Sequence, residues 1–273
     1  MKKIDYVKKL AMEKGSHYGL GQLIKYDNEM ILGKEIPNSS LNVIATKALP
    51  HLEEIVTGIL HNNLKMVEKN AESIIGLGLG LTPSADDTLS GIMAGLYILG
   101  SHFSIDMTQL LAINNSVISK LDETKTTLVS KEFLEHAAHG EIAENGRNII
   151  YAILSPSNTL LKPKVEALLK MGETSGTDIT LGTILGLRIG LELFEINEAF
   201  AVVPMAAMKD LSISPDIVNV HGGACALGHP VGTSGARIMA TLISAMHKYK
   251  VDKGIASLCI GGGEATAIAL ERC

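Results

Sequence analysis

Three short groups of residues in the last third of this chain have the types and spacing for chemistry: Asn197-Glu198-Ala199-Phe200, Gly228-His229-Pro230 and Cys259-Ile260-Gly261-Gly262-Gly263. They supply an amide, an imidazole and a thiol. His229, held between Gly and Pro before a predicted helix, is placed for general-base work or for a structural hydrogen bond. Cys259 reads either as a thiol exchanging protons with a carbon acid or as a small buried residue at a strand end. Asn197 alone reads as a turn or cap residue. The Gly261 N–H, in a glycine run, can donate to an oxyanion.

The elements that must hold these groups follow from local patterns. Ile255–Ile260 predicts a strand, Gly261–Gly263 a turn, and Ala265–Glu271 the returning strand. Ile238, Met239, Leu242, Ile243 and Met246 fall on one face of a predicted helix. Upstream, apolar residues at helical spacing predict helix over Leu41–Ala71.

A second chemical candidate lies in the glycine-rich stretch Ile74–Asp87. Gly78 and Gly80 leave backbone amides unshielded, Thr82 and Ser84 offer hydroxyls, and an apolar helix follows. This is an anion cradle at a helix N-terminus, or a tight turn with Ser84 and Asp87 as its capping pair. No Lys follows the glycines, so it is not a Walker loop. The spacing Ser84-x-x-Asp87-x-x-x-Gly91-x-x-x-Gly95-Leu96 recurs as Ser175-x-x-Asp178-x-x-x-Gly182-x-x-x-Gly186-Leu187. Two equivalent helices are therefore expected to pack through their glycines, N-termini together, with Thr174, Ser175 and Asp178 joining the first set as anion-binding candidates.

Through Gly76–Asp87, Thr127–Gly140 and Gly172–Asp178, residues 1–190 resemble the AllH-like family, clearly in the two glycine-rich motifs and more weakly before residue 70. That resemblance implies a subunit linked to oxamate carbamoyltransferase, handling a carbamoyl or phosphate compound. The chain departs from the family pattern at Ala85, usually Gly, and Glu173, usually His.

Residues 194–273 resemble the C-terminal part of a thiolase. The resemblance implies that His229 activates a nucleophilic cysteine and polarises a thioester, Cys259 moves a proton at the carbon where the C–C bond forms, Asn197 positions an oxyanion-hole water, and the Gly261 N–H serves a second oxyanion hole. The family's acyl-carrying cysteine lies in its N-terminal half. Here the cysteines are Cys225, Cys259 and Cys273 only, and Cys225 is read as core. The opening elements of the thiolase C-terminal domain and the coenzyme A loop have no counterpart, and no Gly/Ser/Pro linker marks the junction.

The expected fold is α/β: a mostly helical, glycine-rich α/β region over 1–190, then a truncated strand–helix–strand–strand unit in a mixed sheet over 194–273. The function expected is an incomplete thiolase-type acyl-CoA acyltransferase module, with a carbamoyltransferase-type subunit over 1–190 or a non-catalytic fusion as alternatives. Coenzyme A or acyl-CoA is expected as substrate, with no tightly bound cofactor and no metal. A net charge of -5 with mixed signs gives no footprint for nucleic acid. No apolar run suits a signal or a membrane span. A cytoplasmic protein, homo-oligomeric or associated with another subunit, is the expectation.

Overall fold

The structure, a computed structural model, describes residues 2–31, 33–37, 40–103, 107–155, 160–189, 193–211, 213, 215–249 and 253–271. Two compact units make up the chain: Lys3–Gly190, and Leu191–Cys273 with Met1–Lys2. The junction at Gly190–Glu192 and the last cysteine, Cys273, lie outside the described residues.

The architecture is α/β overall, and every strand among the described residues belongs to the C-terminal unit. The first unit is built of helices α1 (Lys2–Lys14), α2 (Asp27–Ile31), α3 (Val43–Leu60), α4 (Leu64–Ile74), α5 (Ser84–Phe103), α6 (Met107–Ile118), α7 (Leu128–Ala137), α8 (Glu144–Leu154), α9 (Leu161–Leu169) and α10 (Ser175–Ile189). The stretch read as one helix over Leu41–Ala71 is two. Asn62 takes a left-handed φ of 50°, which Asn tolerates better than most side chains. The Asn63 side chain then accepts from the Met66 N–H and starts α4.

The centre of this unit is the parallel pair α5 and α10, buried on nearly all sides, as expected of helices apolar around their circumference. Gly91 lies against Gly182, and Gly95 against Gly186. The approach is so close that a Cβ on Gly182 would sit 1.9 Å from the Thr88 carbonyl oxygen. Arg188, the charge that interrupts the apolar run of α10, is 3% exposed. Its guanidinium is held by Asp27 at 2.6 Å and Asp5 at 2.5 Å.

In the C-terminal unit, β1 (Leu193–Ile196) runs parallel to β2 (Lys253–Gly261), and β3 (Glu264–Glu271) returns antiparallel to β2. The sheet order is β1-β2-β3, with a register shift between Cys259 and Gly261. Between β1 and β2 lie α11 (Val202–Asp210), the single turn α12 (Ala224–Leu227) and α13 (Ser234–Tyr249). α13 covers one face of the sheet: Ile238, Leu242, Ala245 and Met246 pack with Leu193 and Ala256. Ile243, expected on that buried face, is 46% exposed, and Ala245 takes the place instead. The period of 3.6 places 242, 245, 246 and 249 together and carries 243 off the stripe. Among the described residues, no helix is long and apolar enough to cross a membrane.

Candidate functional site

β1 and β2 are parallel, so their carboxyl ends open on the same edge of the sheet, the edge where parallel α/β sheets carry ligands. Asn197 leaves the end of β1, its N–H donating to the Ser257 carbonyl at 2.8 Å. Cys259 lies within β2, two residues beyond Ser257 and paired with Ala265 of β3, and is exposed, so the alternative of a buried strand-end thiol does not hold. His229 reaches Asn197 directly, with Asn197 Nδ2 and His229 Nε2 3.4 Å apart. The other ring nitrogen, Nδ1, lies 2.6 Å from Ser234 Oγ on the first turn of α13. Asn197 is 1% exposed and takes a second contact from Arg237 Nη2 at 3.3 Å. Gly261 follows Cys259 at a φ of 135°, and nothing lies within 4 Å of where its Cβ would be. Glycine is therefore needed there for backbone conformation, not for space.

Two residues that the sequence left without a role turn out to shape this edge. The Asn219 side chain hydrogen-bonds both the N–H and the C=O of Ile196, at 2.8 and 2.9 Å, and so caps the free side of β1. Glu198 accepts from Asn219 Nδ2 and from the Cys225 N–H, both at 2.9 Å. It clamps the loop that leads to His229. The sequence signal was present in the carboxylate of the Asn-Glu-Ala-Phe group, but its partners lie more than twenty residues away.

Cys225 corrects the sequence expectation: it is exposed, not core. α12 is a single turn, and only Ala224 of its residues is buried. The Cys225 thiol is pushed up from its ordinary range by partial desolvation and by the Glu198 carboxylate beside it. That suppresses the thiolate, the nucleophilic form. Replacing Glu198 with Gln is expected to speed iodoacetamide alkylation of Cys225 near neutral pH, read by peptide mass spectrometry with Cys259 as internal reference. An unchanged ratio of the two rates would remove Glu198 as the cause.

Glu195, on β1 two residues before Asn197, is 1% exposed, and burial pushes its carboxyl up to about 7 despite the opposing charge of Arg237. Phe200, Leu227, Val231 and Ile260, which belong to or flank the three sequence groups, are all more than half exposed. The rim around the polar groups is thus open and apolar.

In the first unit, the structure brings the repeated Ser and Asp residues together, but the hydroxyls do not cap their own helices. Ser84 is the first residue of α5 and Ser175 the first of α10. Thr82 Oγ1 lies 3.1 Å from Ser175 Oγ, and Ser84 Oγ lies 3.3 Å from Thr174 Oγ1. Each serine also reaches the carboxyl of the opposite helix, Ser175 to Asp87 and Ser84 to Asp178. Neither Asp87 Oδ2 nor Asp178 Oδ2 receives a hydrogen bond of good geometry. Burial is the main reason the Asp87 carboxyl is pushed up to about 7 and that of Asp178 to about 6.

Several amides of the two first turns are already used within the chain: Ala85 N–H donates to Leu77 O at 3.0 Å and Gly176 N–H to Met171 O at 2.9 Å. Gly78 closes on the start of α5, where a Cβ would be 2.4 Å from Ser84 N, while Gly80 faces open space. Glu173 is exposed beside this head, and Ala85 is fully buried.

One further segment, Gly15–Gly21, completes the head and carries no sequence prediction. Ser16 N–H donates to Thr177 Oγ1 at 2.9 Å, and Leu20 N–H donates to Asp178 Oδ1 at 2.8 Å. Gly19 sits at a φ of 61°, where a Cβ would come within 2.7 Å of both Ser84 Oγ and Asp178 Oδ2.

Comparison with known proteins bears on both units. Residues 169–272 match the family described as "Thiolase, C-terminal domain". The C-terminal unit is thiolase-like. An acetyl-CoA acetyltransferase of Rhizobium meliloti is 55% identical over 82 residues, 30% of this chain and 21% of that protein. The cytosolic acetyl-CoA acetyltransferase of Mus musculus is 50% identical over 82 residues, with the same two shares. That of Cupriavidus necator is 41% identical over 129 residues, 47% of this chain and 32% of the relative. The chain thus spans about a fifth of the length of the first two relatives.

Residues 74–187 match the family described as "Oxamate carbamoyltransferase subunit AllH", so the helix pair α5 and α10 falls in an AllH-like region. The two matches overlap over residues 169–187, which include most of α10.

Proposed function

We propose that the thiolase-like unit carries the proton-transfer and carbonyl-polarising part of acyl-CoA chemistry without the thiolate that would carry the acyl group. The observation behind this reading is the contact of Asn197 with His229 at the carboxyl end of β1, the strand beside β2, which carries Cys259. A thioester seated at that edge would place its α-carbon toward Cys259 and its carbonyl oxygen toward His229 Nε2, which polarises it once the ring has taken up a proton there and Nε2 carries an N–H. Cys259 then accepts an α-proton as thiolate and returns one to the same carbon, with no change of oxidation state. Transfer of an acyl group through the enzyme needs a second sulfur nucleophile. Cys225 is poorly suited, because its thiol is held protonated beside Glu198.

Two outcomes follow for the purified chain. Acetoacetyl-CoA thiolysis is expected to stay at background, and His229→Ala is expected to leave that background unchanged. Exchange of the acetyl α-hydrogens of acetyl-CoA for deuterium is expected to exceed that of Cys259→Ala. Exchange equal to that of the variant, or a robust thiolysis rate abolished by His229→Ala, would overturn the reading.

A second function is supported by the head of the helix pair, where four hydroxyls and two carboxyls converge at coincident helix N-termini. We propose that residues 1–190 form a carbamoyltransferase-type subunit for oxamate or carbamoyl phosphate, fused to the thiolase-like unit in a cytoplasmic protein that works with a further subunit or a second copy. Protection against thermal unfolding by carbamoyl phosphate but not by coenzyme A would support this. Protection by coenzyme A alone would count against it.

A further inference from the structure

We infer that Arg237 is a positioning residue that sets the tautomer of His229 by fixing which end of the Asn197 amide faces the ring. The inference rests on the thiolase-like reading of this edge but is tested without turnover.

The two ends of an Asn side chain have the same shape, so only their neighbours decide which is oxygen and which is nitrogen. One neighbour of Asn197 is Arg237, whose guanidinium has donors only and stays charged at any ordinary pH. Arg237 Nη2 lies 3.3 Å from Asn197 Oδ1, the one arrangement a donor-only group accepts. The amide nitrogen Nδ2 is thereby turned to His229 Nε2, 3.4 Å away. An N–H facing a ring nitrogen is satisfied only by a lone pair. In the neutral ring the proton therefore sits on Nδ1, which donates to Ser234 Oγ at 2.6 Å. Ser234 in turn donates its own hydrogen to the Pro230 carbonyl at 3.1 Å. Every link from Arg237 to Pro230 then runs in one direction.

The reverse polarity is equally complete without Arg237. Asn197 would turn its oxygen to a protonated Nε2, and Ser234 would donate to a bare Nδ1. The network thus has two self-consistent states, and the cation at one end selects between them. The selection matters because a lone pair on Nε2, at the end that meets Asn197, is what a general base needs. Arg237 is itself partly buried, with Nε and Nη1 lacking hydrogen-bond partners and its charge felt at buried Glu195. Its ordered contact is the one to Asn197.

The test reads the ring nitrogens of the full chain by long-range 1H–15N correlation at a pH of about 8, above the ordinary histidine range. His229, one of nine histidines, is assigned by the signal lost in His229→Gln. In the wild type, Nε2 is expected to be pyridine-like and Nδ1 pyrrole-like. Arg237→Met, which keeps an apolar stem but no donor, is expected to lose the pyridine-like Nε2 signal. Asn197→Asp, which leaves an acceptor-only group beside Nε2, is expected to do the same. A wild-type ring already protonated at Nε2 would overturn the proposal, and so would either variant keeping the wild-type pattern with the other histidine signals undisturbed. A chain that fails to exchange acetyl α-hydrogens while showing the expected tautomer pattern would sink the acyl-CoA reading and leave this one standing.

Discussion

Gly182→Ala is expected to destabilise the first unit by at least about 3 kcal/mol, the upper range for forcing extra atoms into a packed interior. The added Cβ would sit 1.9 Å from the Thr88 carbonyl oxygen and 2.9 Å from the Gly91 Cα. Both obstacles are backbone, which no rotamer change can move aside, so α5 and α10 must separate along their length. Separation would also pull Ser84 from Asp178 and Ser175 from Asp87, because those pairs exist only while the two helices stay in register. A control is Gly95→Ala, whose Cβ would meet its nearest atoms at an ordinary 3.4 Å. Urea unfolding followed by helical circular dichroism checks both variants. Equal midpoints for Gly182→Ala and wild type would mean that the helices do not meet through these glycines.

The second large effect is on pH. The Asp178 carboxyl is pushed up to about 6 in the folded protein, chiefly by burial, whereas an unfolded chain holds it near 3.9. Between those values the folded state binds the extra proton. The stability contributed by the neutral acid is complete below about pH 4 and is lost as pH rises through about 6. Asp87, pushed up to about 7, adds in the same direction and extends the window upward.

Asp178→Asn keeps an oxygen for the Leu20 N–H and removes the titration. It is therefore expected to gain on the order of 3 kcal/mol relative to wild type between about pH 4 and pH 8. Denaturant midpoints of the two proteins at both ends of that window would show it. A difference that does not change with pH would mean that the Asp178 carboxyl is ionised throughout.

Much of this was legible in the chain. The Ser/Asp/Gly spacing of α5 and α10 is a local period, and it announced both helices and the glycine face between them. The strand, glycine turn and return strand of Lys253–Glu271 follow from alternation and from three glycines that all take positive φ. The Asn62-Asn63 break between α3 and α4 had its signal in two adjacent asparagines, overridden by the apolar period on either side. Cys225 was misread because its neighbours are small and apolar, while exposure depends on whether another element covers them.

The sequence by itself determined the identities of the candidate groups, the two helix starts and the elements that carry Asn197, His229 and Cys259, because these are set by residue type and by short periods. Only the tertiary structure decided that each serine serves the opposite helix, that Gly19 closes the head of the pair, that Glu198 and Asn219 hold the edge of β1, and that Arg237 faces Asn197. Each of those contacts joins residues distant in the chain. Their partners are chosen by the register of packed helices and strands, and no local pattern encodes that register.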